Sequence, residues 1–153
     1  MKKFVAVLLA AVLCLSFAAC GGDKATDKTV DAAAMFQALL TDVTYTDNAT
    51  ELDSSMAGVL LGGELPDGTE AYLAANDSAY LRCAVFACKD KDAAAAVKKL
   101  IQTYIDDSID AKYNVDEVAL LQNAKIHSMG NYVAVAVTSD IDNVNKVIDQ
   151  YFA

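Results

Sequence analysis

The sequence predicts an α+β fold: about four mostly antiparallel strands in one sheet, with helices packed on one face. Three observations carry this. Apolar residues recur at helical spacing in three long stretches, and alternate in short stretches that come in pairs joined by turn residues. Aspartates stand at the start of the helical stretches, where a carboxylate can cap exposed backbone N–H groups. After an N-terminal helix the order strand, strand, helix occurs twice, which reads either as a true repeat or as convergence on a common hairpin–cap–helix grammar.

The elements follow in order. Val30, Ala33, Phe36, Leu39, Leu40 and Val43 form a helical stripe over Thr29–Val43. A short helix is expected over Asp53–Leu61, with Asp53 as N-cap and Gly62-Gly63 ending it. Pro66-Asp67-Gly68 is a turn. Glu70–Ala75 and Ala79–Cys88 make a hairpin around Asn76-Asp77-Ser78. Asp90 or Asp92 caps the next helix, whose stripe is Val97, Leu100, Ile101, Tyr104, Ile105 and Ile109. A connection spans Asn114–Glu117. Ala124–Ser128 and Asn131–Thr138 make a second hairpin about Met129-Gly130, and Asp140 or Asp142 caps a last helix bearing Val144, Val147, Ile148, Tyr151 and Phe152. At an offset of about 50 residues, Cys83, Val85 and Ala87 align with Val133, Val135 and Val137.

The first 19 residues read as an address rather than as part of this fold. Met1-Lys2-Lys3 is a short positive region, and Phe4–Ala19 is apolar except for Ser16. As a helix this segment would reach about 24 Å, short of a bilayer core near 30 Å, so it predicts a signal peptide rather than a permanent span. It ends in Phe17-Ala18-Ala19-Cys20, which resembles a bacterial lipobox, with phenylalanine where an aliphatic residue is usual. That resemblance implies lipidation of Cys20, which becomes the N-terminus of the mature chain; simple secretion after Ala18 is the alternative. A second acyl chain would make the anchor stable, because one chain holds only marginally. Residues 20–28 are then a short polar tether, and 29–153 a single α+β domain held at the outer face of the cytoplasmic membrane.

Of 153 residues, 21 are acidic and 12 are Lys or Arg, for a formal charge of -9. Two of those bases, Lys2 and Lys3, lie in the leader. A nucleic-acid binder needs clustered bases, so that class is excluded. Four cysteines reduce to Cys83 and Cys88 once Cys14 leaves with the signal and Cys20 takes lipid. Five strand residues apart, the two lie about 16 Å from each other on opposite faces, too far for a disulfide. Two small buried residues explain them; a thiol enzyme using Cys83 or Cys88 with His127 is the lesser alternative. Neither the Asp90/Asp92 nor the Asp140/Asp142 pair has the ligand spacing of a calcium loop, and a single histidine excludes a two-histidine metal site. No nucleophile elbow, P-loop or dinucleotide fingerprint occurs, so no cofactor and no metal are expected.

Strand alternation singles out one surface. If Leu81, Cys83, Val85 and Ala87 face the helices with Val133, Val135 and Val137, the opposite face carries Tyr80, Arg82, Ala84, Phe86 and Cys88 beside Tyr132, Ala134, Ala136 and Thr138. Tyr72 and His127 join them. An aromatic face with the chain's single arginine is what a binding patch looks like; the alternative is that the Val30–Val43 helix covers it. The candidate binding residues are therefore Tyr72, Tyr80, Arg82, Phe86, His127 and Tyr132.

Ala84-Val85-Phe86 leading to Asp90, the long helix to Tyr113, Leu121-Gln122-Asn123-Ala124, Gly130-Asn131-Tyr132-Val133 and the closing Ile148-Asp149-Gln150-Tyr151-Phe152 together resemble the domain-of-unknown-function 4358 family of small exported lipoproteins. The resemblance runs from about Val30 to Phe152, departing where Asn114-Val115 lacks a proline. It implies location, a clostridia-like Gram-positive anaerobe and one α+β domain, but no functional residue. The expectation is a non-catalytic, lipid-anchored module binding a protein or small ligand through its sheet face. A lipoprotein that self-associates through that face is the alternative, and the oligomeric state stays open.

Overall fold

A computed structural model describes residues 29–111 and 114–153. The signal segment, Cys20 and the tether to residue 28 lie outside the described residues, as does the tyrosine at 113. The elements are α1 (Ala32–Asp42), β1 (Thr50–Leu52), α2 (Met56–Leu61), β2 (Glu70–Ala75), β3 (Leu81–Ala87), α3 (Lys91–Ala111), α4 (Val115–Asn123), β4 (Lys125–Met129), β5 (Tyr132–Ala136) and α5 (Ile141–Phe152). The strands form one sheet in the order β1-β2-β3-β5-β4, with every pair antiparallel. The α+β class holds. The sheet has five strands rather than four, because β1 is only three residues long and shows no alternation to read.

Helices cover both faces, not one. The cause lies in β3 and β5: six of the seven β3 residues and four of the five in β5 are buried, so neither face tolerates water. On one face α2, α3 and α4 pack over Leu73, Leu81, Ala84, Phe86, Val133, Val135 and Val137. On the other, α1 and α5 pack over Ala74, Cys83, Val85, Ala134 and Ala136, where the alanines let the helices come close. Met35, Phe36 and Leu39 of α1 are fully buried there, each contributing about 1.5–3 kcal/mol by area.

The predicted face assignment fails in β3. Phe86 pairs with Val133 and Val85 with Ala134, so the Val133–Val137 set looks toward α3 together with Phe86, while Cys83 and Val85 look toward α1. Strand alternation also breaks inside β3. Ala74 faces Cys83 and the next residue, Ala75, faces Leu81, so Arg82 is an extra residue in the ladder, a bulge. Leu81 consequently returns to the face of Ala84 and Phe86. A strict period of two cannot register such an insertion.

The two strand–strand–helix units do not superpose. A rotation normal to the sheet brings one hairpin onto the other and preserves the faces, yet α3 lies on one face and α5 on the opposite one. Hydrogen bonds at the helix starts settle which aspartates cap: Asp90 Oδ1 accepts from the Ala93 N–H at 2.8 Å. Asp140 Oδ2 instead accepts from the Thr44 N–H at 2.9 Å and from Asn143 Nδ2 at 2.9 Å, tying the end of α1 to the start of α5.

Candidate functional site

The chain's single arginine is placed by the bulge, which turns Arg82 out of the ladder at one end of the sheet. Its side chain is 2% exposed. Nε and Nη2 donate to the two oxygens of Asp47 at 2.7 and 3.0 Å, and Nη1 and Nη2 donate to the two oxygens of Glu117 at 2.8 Å each. Nη1 also donates to the Leu81 carbonyl at 3.2 Å, so all five guanidinium N–H groups are used. Burial alone would pull the arginine's pKa down, and the two carboxylates more than offset this, leaving it raised. The guanidinium holds the Asp47 carboxyl down at about 2. Asp47 follows α1, and Glu117 belongs to α4 on the opposite layer, so Arg82 clamps the two helical layers across the sheet end. With every donor taken by the protein, it is not an anion-binding group in this state.

The segment Asn114–Glu117, expected as a connection, is not one. It is the first turn of α4. Asn114 Oδ1 accepts from the Asp116 and Glu117 N–H groups at 2.9 and 3.4 Å. Asparagine followed three residues later by glutamate is a helix-start signal that was available.

The other candidates separate. Phe86 is fully buried on the α3 face and Tyr80 is half-buried beyond the hairpin turn. The middle of the predicted face, Ala134 and Ala136, is sealed by α1 and α5, and Thr138 is buried, donating to the Thr44 carbonyl. Tyr72, His127 and Tyr132 do share a face: register and alternation set Tyr72, Val85, Ala134 and His127 in one row across the sheet. The next row holds Ala87, Tyr132 and Met129.

This second row lies at an end the helices leave partly open. Thr44 meets both Thr138 and Asp140, so α5 starts where β5 finishes and runs back toward Tyr132. Tyr151 and Phe152, half-buried in the last turn of α5, come to the same end, and α1 begins there. Phe36 of α1 packs on Tyr72 with ring centroids 6.2 Å apart. Among the described residues the hydroxyls of Tyr72, Tyr132 and Tyr151 have no hydrogen-bond partner. A groove of about 400 Å³ opens beside Tyr72, lined further by Ser54, Ser55, Leu65, Thr69 and Glu70. The Thr69 hydroxyl in its wall is buried beside the Cys88 thiol.

The thiols occupy the opposite situation. Cys83 and Cys88 are unpaired, buried and on opposite layers of the core. Burial pushes the Cys83 thiol up to about 11, and burial raises Cys88 as well. A nucleophilic cysteine needs the reverse shift and access. His127 is two strands from Cys83, about 10 Å at roughly 4.8 Å per strand step, beyond proton-transfer reach. Burial and the Lys125 charge lower the pKa of His127. No group of three or more His, Cys, Asp or Glu among the described residues is placed to hold a metal ion, and none of their helices is long and apolar enough to cross a membrane.

Residues 66–138 match the model of a family described as Domain of unknown function (DUF4358), so the resemblance read from the sequence holds over that span. The match covers β2, β3, α3, α4, β4 and β5, and leaves α1 and α5, the layer on the second face, outside. No curated protein and no solved structure matches the chain.

Proposed function

With residues 66–138 matching a family of unknown function as the premise, we propose that the protein is a non-catalytic, extracytoplasmic binding module, lipidated at Cys20 and held at the outer face of the cytoplasmic membrane. The binding surface is not the middle of the sheet but its open end: Tyr72, Met129, Tyr132, Tyr151 and Phe152.

The observation that carries this reading is the set of three tyrosines whose hydroxyls have no partner among the described residues. Tyrosine gives large apolar contact at little entropic cost and keeps a polar handle, which is why it concentrates at contact surfaces. Arg82 and both thiols, the side chains from which an active site could be built, are committed to the interior. The aromatic end is also where the chain enters α1, so an eight-residue tether would hold it on the membrane side of the domain, facing partners at that surface.

The test is a photo-crosslinking amino acid at position 132 in living cells, with position 98 on the exposed face of α3 as control. Capture of a partner from 132 and not from 98 is expected. Equal labelling at both positions, or none at 132, overturns the aromatic end as a binding surface. Palmitate labelling that is lost in Cys20→Ala tests the anchor separately.

A further inference from the structure

The sheet has two edges, and they are built differently. β1 is three residues long, with Glu51 exposed, and so offers little to a passing strand. β4 presents five residues, Lys125–Met129, in an uninterrupted register with β5. On its other side no backbone bond reaches β4 among the described residues. It contains no proline, no bulge and no acid, although the chain has 21 acids. The usual protections of an edge strand are absent apart from Lys125 at its beginning.

What such an edge recognises is an extended backbone, and the sequence of β4 suits its own copy. We propose that β4 is the pairing edge of a homodimer, in which two β4 strands meet antiparallel about a two-fold axis through His127 and extend the sheet to ten strands. In that register Lys125 faces Met129 and Ile126 faces Ser128 of the second copy, and each His127 faces its symmetry mate. Every residue of the strand is used, and no lysine meets a lysine. An axis at Lys125 would set two ammonium groups opposite each other, which is unfavourable, and one at Ile126 would pair only Lys125–His127 and leave Ser128 and Met129 without partners. Ile126 and Met129, half-buried in the single copy, would gain cover on both faces of the junction. Pairing parity keeps like faces together, so α3 of both copies lies on one side and α1 with α5 of both on the other. The pairing runs along the backbone edge of β4 and shares only Met129 with the aromatic end, so its crosslinks at positions 126–128 are read independently of that surface.

A five-residue strand pair falls short of the roughly 1,600 Å² of a standard interface, so the test traps it covalently. Single cysteines are placed in the full chain carrying Cys14→Ser and Cys20→Ser, which is concentrated and treated with copper–phenanthroline and oxygen; Cα atoms of directly opposed strand residues, about 4.5–5.5 Å apart, lie within disulfide range. His127→Cys is expected to yield a covalent dimer, while Lys98→Cys and the parent chain with no added cysteine, whose Cys83 and Cys88 are buried, yield none above background. Ile126→Cys and Ser128→Cys are expected to crosslink when mixed and not when alone. No dimer at His127→Cys, equal crosslinking at Lys98→Cys, or efficient self-crosslinking of Ile126→Cys overturns the proposal.

Discussion

Replacing Arg82 by methionine keeps most of the aliphatic stem and removes the guanidinium, which isolates the cost of the clamp. The two charges it leaves behind are not equivalent. The Asp47 side chain is 43% exposed and can turn to water, so its loss costs under about 1 kcal/mol. Glu117 is only 7% exposed and loses both of its 2.8 Å partners. Stripping one partner from a buried pair costs about 3–5 kcal/mol, because the remaining carboxylate keeps its desolvation penalty. Against a total stability of roughly 5–15 kcal/mol this is a large fraction, and it lowers Tm by on the order of 10–20 °C. Urea unfolding followed by circular dichroism measures it. Adding Glu117→Leu to Arg82→Met should recover more than half of the loss, since two apolar groups replace two ions. Arg82→Met costing less than about 1 kcal/mol, or the double variant being no better than Arg82→Met, would refute the account of Arg82 as a buried clamp.

Other consequences concern single groups. Because the folded-state pKa of Asp47 is depressed from 3.8 to about 2, its contribution is present at higher pH and is lost as pH falls from about 4 through 2. The urea midpoint of the native chain should drop in that window by more than that of Asp47→Asn, and parallel curves would contradict this. Cys83 and Cys88 should react with a thiol reagent at pH 8 far more slowly in the folded protein than in urea, read peptide by peptide in a mass spectrometer; fast labelling of either in the folded state would reopen thiol chemistry. Ala79 sits at φ 62°, a left-handed conformation that costs a residue bearing Cβ about 1–2 kcal/mol. Ala79→Gly should therefore stabilise by about 0.5–1 kcal/mol after the entropy penalty of glycine, and a lower urea midpoint would sink that reading.

A good part of the site was legible before the structure, but not its partition. Alternation in β2, β4 and β5 sets Tyr72, His127 and Tyr132 on one face, and the strand register aligns them there. Phe86 instead shares the face of Val133 and Val135, because its face depends on the register of β3 against β5, which no property of either strand alone specifies. Strand alternation alone sets Arg82 on the candidate binding face, because the carboxylates that bury it are 35 residues away on either side and the bulge that turns it is not local to β3.

The sequence by itself determined the two hairpins, the order of the three long helices around them and the buried stripes of α3 and α5, but neither β1 nor α4. These depend on spacing within a few residues and on the chemistry of single side chains. Only the tertiary structure decided that α1 and α5 close the second face, that the bulge turns Arg82 toward Asp47 and Glu117, and that an aromatic end and the β4 edge remain open. Those outcomes follow from which strands are neighbours, and strand order is set by burying all the apolar faces at once rather than by any local run of residues.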